Sequence, residues 1–267
     1  MDKVARGKES PEEKSFKRSV LLVATFAAFL TPFLGSAVNL ALPAIGEDFG
    51  ASAIGLGWVI SSFILSSAVF LLPFGRLADI IGRKKVFSAG IILFTISTFL
   101  IIFSPGLTYL IIMRIIQGIS GAMIFGTSMA IITSVYGIGE RGKAMGINIT
   151  AVYFGLSSGP VIGGLLTQYL GWRSIFAFLV PFGIVSIILI NRKIKTEWVD
   201  SGGEAFDWKG SLIYGVSLFG LMYGFSLLPE PAGWIFLGCG AVTTVIFLLF
   251  ERKSANPVFD VSLILHN

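Results

Sequence analysis

The stretch Gly75-Arg76-Leu77-Ala78-Asp79-Ile80-Ile81-Gly82-Arg83-Lys84-Lys85 is charged, bounded by glycine and wedged between two long apolar segments. Charge of this density cannot sit in hydrocarbon, so the stretch reads as a short polar turn joining two helices that cross a bilayer. The two glycines are expected to permit a tight reversal between the helix ends. Such a turn holds two spans in a fixed relation, which suits a carrier better than a soluble domain.

The same alternation runs along the whole chain. A hydrocarbon core of about 30 Å needs about 20 apolar residues in a helix. Eight segments meet that need, roughly 20 to 43, 52 to 74, 86 to 104, 107 to 135, 145 to 169, 174 to 191, 210 to 228 and 233 to 250. Runs such as Val86 to Phe103 are continuous rather than alternating, which excludes a closed β-barrel. Composition agrees, since 54% of residues are apolar and only 13% are charged, against roughly 25% in a soluble domain.

The fold class is therefore all-α, a polytopic membrane protein whose partner is the lipid bilayer. A formal charge of +5 would fit nucleic acid only if the basic residues formed a continuous face, and they do not. Of the 20 lysines and arginines, all but Arg114 and Arg173 fall in the amino-terminal tail, in alternate gaps or in the carboxyl tail. That asymmetry places both termini in the cytoplasm.

Gap lengths divide the chain into a tail over 1–19, a six-helix bundle over 20–191, a polar loop over 192–209, two extra helices over 210–250 and a tail over 251–267. The last residues read like the approach to another span. Cys239 is the only cysteine and lies in an apolar run, so neither a disulfide nor a thiolate metal cluster is expected within one chain. Gly155-Leu156-Ser157-Ser158-Gly159 fits the serine-nucleophile pattern, but the only histidine, His266, lies in the tail, so no enzyme, cofactor or metal is expected.

Four groups of residues carry chemistry. In the first, Gly75-x-x-x-Asp79-x-x-Gly82-Arg83, Asp79 can pair with a nearby arginine and with the positive end of a helix. In the second, Arg114-x-x-Gln117-Gly118, an arginine within a span costs about 2.5 to 3.5 kcal/mol on insertion scales, so it should face a cavity or a partner; Gln117 shares its helix face. In the third, Gly155, Gly159 and Gly163, with Gly164 beside them, make a groove for a neighbouring helix, and Pro160 removes a backbone hydrogen bond. In the fourth, Ser36-x-x-Asn39-x-Ala41-Leu42-Pro43, Asn39 can bond either to substrate or to a facing helix. Trp172-Arg173 reads as an interfacial anchor, and Gly139 to Ala144 as a loop turn.

In order and spacing these groups resemble the amino-terminal portion of a major facilitator superfamily transporter, specifically of the fourteen-span drug:proton antiporter family. The resemblance covers about residues 30 to 190, and the two helices after residue 209 match that family's extra central pair. It implies a six-helix bundle of two inverted repeats that supplies one wall of a site worked by alternating access. It further implies multidrug or small-solute efflux at the cell membrane, with a small-molecule substrate. Gly75, Asp79, Gly82 and Arg83 become a conformational latch, and Arg114, Gln117 and Asn39 line the substrate and coupling path. Gly155, Gly159, Pro160, Gly163 and Gly164 become the antiporter motif.

One departure bears on coupling. The resembling antiporters carry an aspartate five positions before Asn39, where this chain has Leu34, and none of the eight expected spans contains an acid or a histidine. The rival expectation is a non-transporting interaction subunit, or a half that needs a carboxyl-terminal partner or a second copy of itself.

Overall fold

The computed structural model describes residues 10–254 and 256–259. Among them eight helices follow one another: α1 (Pro11–Phe49), α2 (Ala53–Ile81), α3 (Arg83–Ile101), α4 (Leu107–Val135), α5 (Ile138–Leu170), α6 (Arg173–Lys193), α7 (Trp208–Ser226) and α8 (Pro231–Glu251). Local chemistry sets the ends. Ser10 accepts from the Glu13 amide, Pro11 opens the first turn and Glu12 and Glu13 follow, so α1 starts where orphan amides are capped and acid meets the positive helix end. Glycines with positive φ stop α1 at Gly50 and α2 at Gly82.

Seven of these helices are long and apolar enough to cross a membrane, and the chain is a multi-pass membrane protein. The exception is α7, expected as a span over 210 to 228. Its Gly220 and Gly224 lie against the backbone of α8, so residues selected for close approach have displaced the bulky apolar ones that raise hydropathy.

Packing gives the helices different ranks. α1 lies along α5 and touches α4 and α6; α2 packs on α4, α3 and α7; α3 packs on α4 and α6; α7 and α8 form a hairpin. α1 and α4 bury 61% of their most apolar stretches, whereas α2 and α5 bury 17%. The first two form the middle of the bundle and the second two keep a long face turned away from it.

Several sequence expectations need correction. α1 is already helical at Pro11, well inside the expected tail, and residues 1–9, 255 and 260–267 lie outside the described residues, including the expected approach to a further span. Gly75 makes no turn: it sits within α2, where its backbone meets Gly126 of α4, and the reversal is made by Gly82 alone. Residues 139 to 144 belong to the first turns of α5, because Gly137 already supplies the bend.

Trp172 is no interfacial ring either. It is 3% exposed, packs edge-on to Phe49 and donates Nε1 to Asp48 at 3.2 Å. Arg173 joins the same carboxylate at 2.7 Å and the Ser104 carbonyl at 3.0 Å. The pair ties α1 to the α3–α4 connection.

Candidate functional site

Arg114 lies in α4 and is 1% exposed, the largest of the fully buried side chains. Its Nε donates to the Val59 carbonyl of α2 at 3.0 Å and its Nη1 to Gln117 Oε1 at 2.9 Å. The guanidinium also lies 4.4 Å from the centroid of the Phe63 ring, whose π face favours a cation. Gln117 passes the chain on, donating Nε2 to Thr98 Oγ1 of α3 at 2.8 Å, and Thr98 donates to the Phe94 carbonyl at 2.6 Å.

A polar line thus crosses α2, α4 and α3 inside the bundle. Among the described residues no carboxylate pairs with Arg114, so its charge is held only by a carbonyl, an amide and a ring. Asn39 does not join this line: it is exposed on α1.

At the opposite end of α2, Arg83 Nε donates to Asp79 Oδ1 at 2.9 Å, across one helical turn that Gly82 interrupts. Its Nη1 reaches Ser134 of α4 at 2.7 Å, and its Nη2 pairs with Asp200 from the connection between α6 and α7. Gly82 has φ 119 and ψ 130, and a Cβ there would lie 2.5 Å from the Glu197 carboxyl carbon. Only glycine takes this backbone conformation without strain. Asp79, Gly82 and Arg83 are brought together; Gly75 lies within α2 beside Gly126 of α4, apart from them.

The third group forms a seam between α5 and α1. Added Cβ atoms would meet the Phe29 carbonyl at 2.8 Å from Gly155, Ser36 Cβ at 2.7 Å from Gly159, Ala37 Cβ at 2.6 Å from Gly163 and Leu40 Cδ2 at 2.8 Å from Gly164. The two backbones therefore approach as closely as absent side chains allow. Pro160 cannot donate to the carbonyl four residues back, that of Leu156, and Ser36 Oγ donates to it instead at 2.8 Å.

Residues 24–262 match the family model described as Major Facilitator Superfamily. The chain belongs to this superfamily. It is 31% identical over 234 residues to the riboflavin transporter RibZ of Clostridioides difficile (strain 630), covering 88% of this chain and 50% of that protein. It is 32% identical over 250 residues to the multidrug resistance protein Stp of Mycobacterium tuberculosis (strain H37Rv), with 91% and 46% covered. Against the multidrug transporter protein MdtP of Bacillus subtilis (strain 168) it is 30% identical over 265 residues, with 96% and 48% covered. The chain spans about half the length of these curated relatives.

Within this major facilitator bundle, the Arg114 line lies deep and the Gly82 turn lies at a helix end. Sequence reasoning found Arg114, Gln117, Asp79 and Arg83 but missed their partners Val59, Phe63, Thr98, Ser134 and Asp200. Nothing in local spacing marks those residues. The Ser36 bond did leave a signal, since Pro160 announces a freed carbonyl at Leu156.

Proposed function

We propose that this chain forms one wall of a multidrug or small-solute exporter of the cell membrane that works by alternating access. The reading is supported chiefly by Arg114, an intramembrane cation with no carboxylate partner among the described residues. A buried guanidinium left in that condition is expensive, and such charges persist where function uses them. In this reading a substrate group, or a carboxylate from an opposing bundle, completes its pairing during transport. Similarity to proteins named for riboflavin transport and multidrug resistance supports movement of organic small molecules.

The remaining assignments follow the same reading. In this reading both termini and the Gly82 turn face the cytoplasm, which the excess of lysine and arginine on that side supports. Asp79, Gly82 and Arg83 act as the latch that changes when the cavity changes side, and Gln117 and Asn39 border the path. The α7–α8 hairpin is the extra central pair of a fourteen-span carrier. Because the chain spans about half of its relatives' length, the second reading is a half that moves nothing until an opposing bundle joins it.

Reconstitution in liposomes separates the two. Movement of a fluorescent dye or solute that is lost in Arg114→Ala supports the exporter and its site. Movement indifferent to that substitution overturns the site. No movement by the chain alone, restored by coexpression with a second six-helix chain that copurifies with it, favours the half-carrier.

A further inference from the structure

The turn at Gly82 joins two helix ends that would otherwise be left bare. α3 has no side-chain cap of its own, since its N-cap position is Gly82, and the last carbonyls of α2 have run out of helical donors. Both deficits are met by one segment from far along the chain. Asp200 and Ser201 donate their amides to the Asp79 carbonyl of α2 at 3.1 and 3.0 Å. The Arg83 amide donates to the Trp198 carbonyl at 2.9 Å, and the Lys84 amide to Glu197 Oε1 at 2.8 Å, so residues 197 and 198 cap the start of α3.

Side chains repeat the pattern with charge. Asp200 pairs with Arg83, Glu204 pairs with Arg76, and Arg76 Nη1 also donates to Ser201 Oγ at 3.0 Å. The Trp198 ring lies 6.4 Å from that of Phe16, which anchors the segment to α1, and Ile194 just before it is buried. A polar connection read from sequence as a divider between two units is therefore bound to the first of them. It then leads directly into α7, through Asp207 at that helix's N-cap.

We propose that residues Glu197–Glu204 are a releasable acidic strap that holds the Gly82 turn shut, and that the turn opens only when the strap lets go. The inference rests on reading Asp79, Gly82 and Arg83 as a latch. Release is feasible because the acidic side of each pair lies at the surface: Asp200 is 60% exposed and Glu204 41%, against 13% for Arg83 and 17% for Arg76, so the carboxylates can exchange their arginines for water and salt.

Amide hydrogen exchange on the full chain in lipid nanodiscs tests this, with Glu197→Gln, Asp200→Asn and Glu204→Gln combined as the strap variant. In the unmodified protein the amides of Arg83, Lys84, Asp200 and Ser201 should exchange as one group, at least about ten-fold slower than in the variant. Raising salt should speed that group in the unmodified protein and leave the variant unchanged, while amides along the α1–α5 seam keep their rates in both. Arg83 and Lys84 keeping their protection when residues 198–201 lose theirs would overturn the strap, as would free exchange of residues 198–201 in the unmodified protein. The latch reading fails separately, if thiol labelling beside Gly82 shows one accessibility under every condition while the exchange result stands.

Discussion

The Ser36 hydroxyl donates to the Leu156 carbonyl at 2.8 Å, and Leu156 is the residue whose helical donor Pro160 cannot supply. One helix repairs the defect of another, which makes the α1–α5 seam directional as well as close. Ser36→Ala should leave that carbonyl unpaired and lower stability by about 1 kcal/mol. In a Pro160→Ala background, where residue 160 regains its amide, the same change should be nearly neutral. Unfolding midpoints of the four proteins in detergent check the cycle; additive losses would mean that Ser36 acts elsewhere.

Close approach along the seam predicts a contrast between two glycines of one helix. Gly159→Ala puts a Cβ 2.7 Å from that of Ser36 and should destabilise by about 1–3 kcal/mol. Gly146 has nothing within 4 Å, so Gly146→Ala should stabilise by about 0.5–1 kcal/mol through helix propensity alone. Thermal unfolding of the two variants side by side is sufficient.

At the Gly82 turn any L-residue meets both the backbone conformation and the Glu197 carboxylate. Gly82→Ala should cost about 1–3 kcal/mol. Gly82→Asn should fare no better, because φ 119 with ψ 130 lies outside the left-handed helical region that asparagine tolerates. Proteolysis rates within 194–207 report the loosening.

Inside the bundle the Arg114 line predicts that stability and function separate. Thr98→Val removes the acceptor for Gln117 Nε2, leaves a buried donor unpaired and should cost about 1–3 kcal/mol. Arg114→Met removes a desolvated charge but leaves Gln117 Oε1 without its donor, so gain and loss oppose: it should unfold within about 2 kcal/mol of the unmodified protein and, on the proposed reading, lose transport. Arg114→Lys should not restore transport, because an ammonium cannot reproduce the planar fork that reaches both Val59 and Gln117. Denaturation curves and solute flux on the same preparations separate the two effects.

What could be read from the sequence was what lies close along it. Apolar run length gave the helices, the three-residue spacing of Arg114 and Gln117 put them on one face, and the four-residue spacing of Gly155, Gly159 and Gly163 marked a packing stripe. Contacts between distant segments left no such mark. Asp200 meets Arg83 across 117 positions and Asp48 meets Trp172 across 124, so the strap read as a divider and a buried indole as a membrane anchor. α7 was read as a span over 210 to 228 although it falls short of the apolar criterion, since small residues that meet α8 lower its hydropathy. Helix ends were misplaced at α1, α2 and α5 because charged residues continue a helix past the bilayer as readily as they end it.

A water-filled route that opens by turns borders the buried polar line around Arg114 in the proposed reading. It is tested most directly by thiol labelling in a Cys239→Ser background, with Ser62→Cys on α2 and Arg114→Cys on α4 as reporters. Ser62 is 3% exposed, one helical turn from Val59, and its hydroxyl has no partner. A membrane-impermeant reagent should modify both positions slowly in the chain as it stands, and faster once Asp79→Asn weakens the latch. Both thiols remaining inert with the latch intact and weakened would contradict the claim.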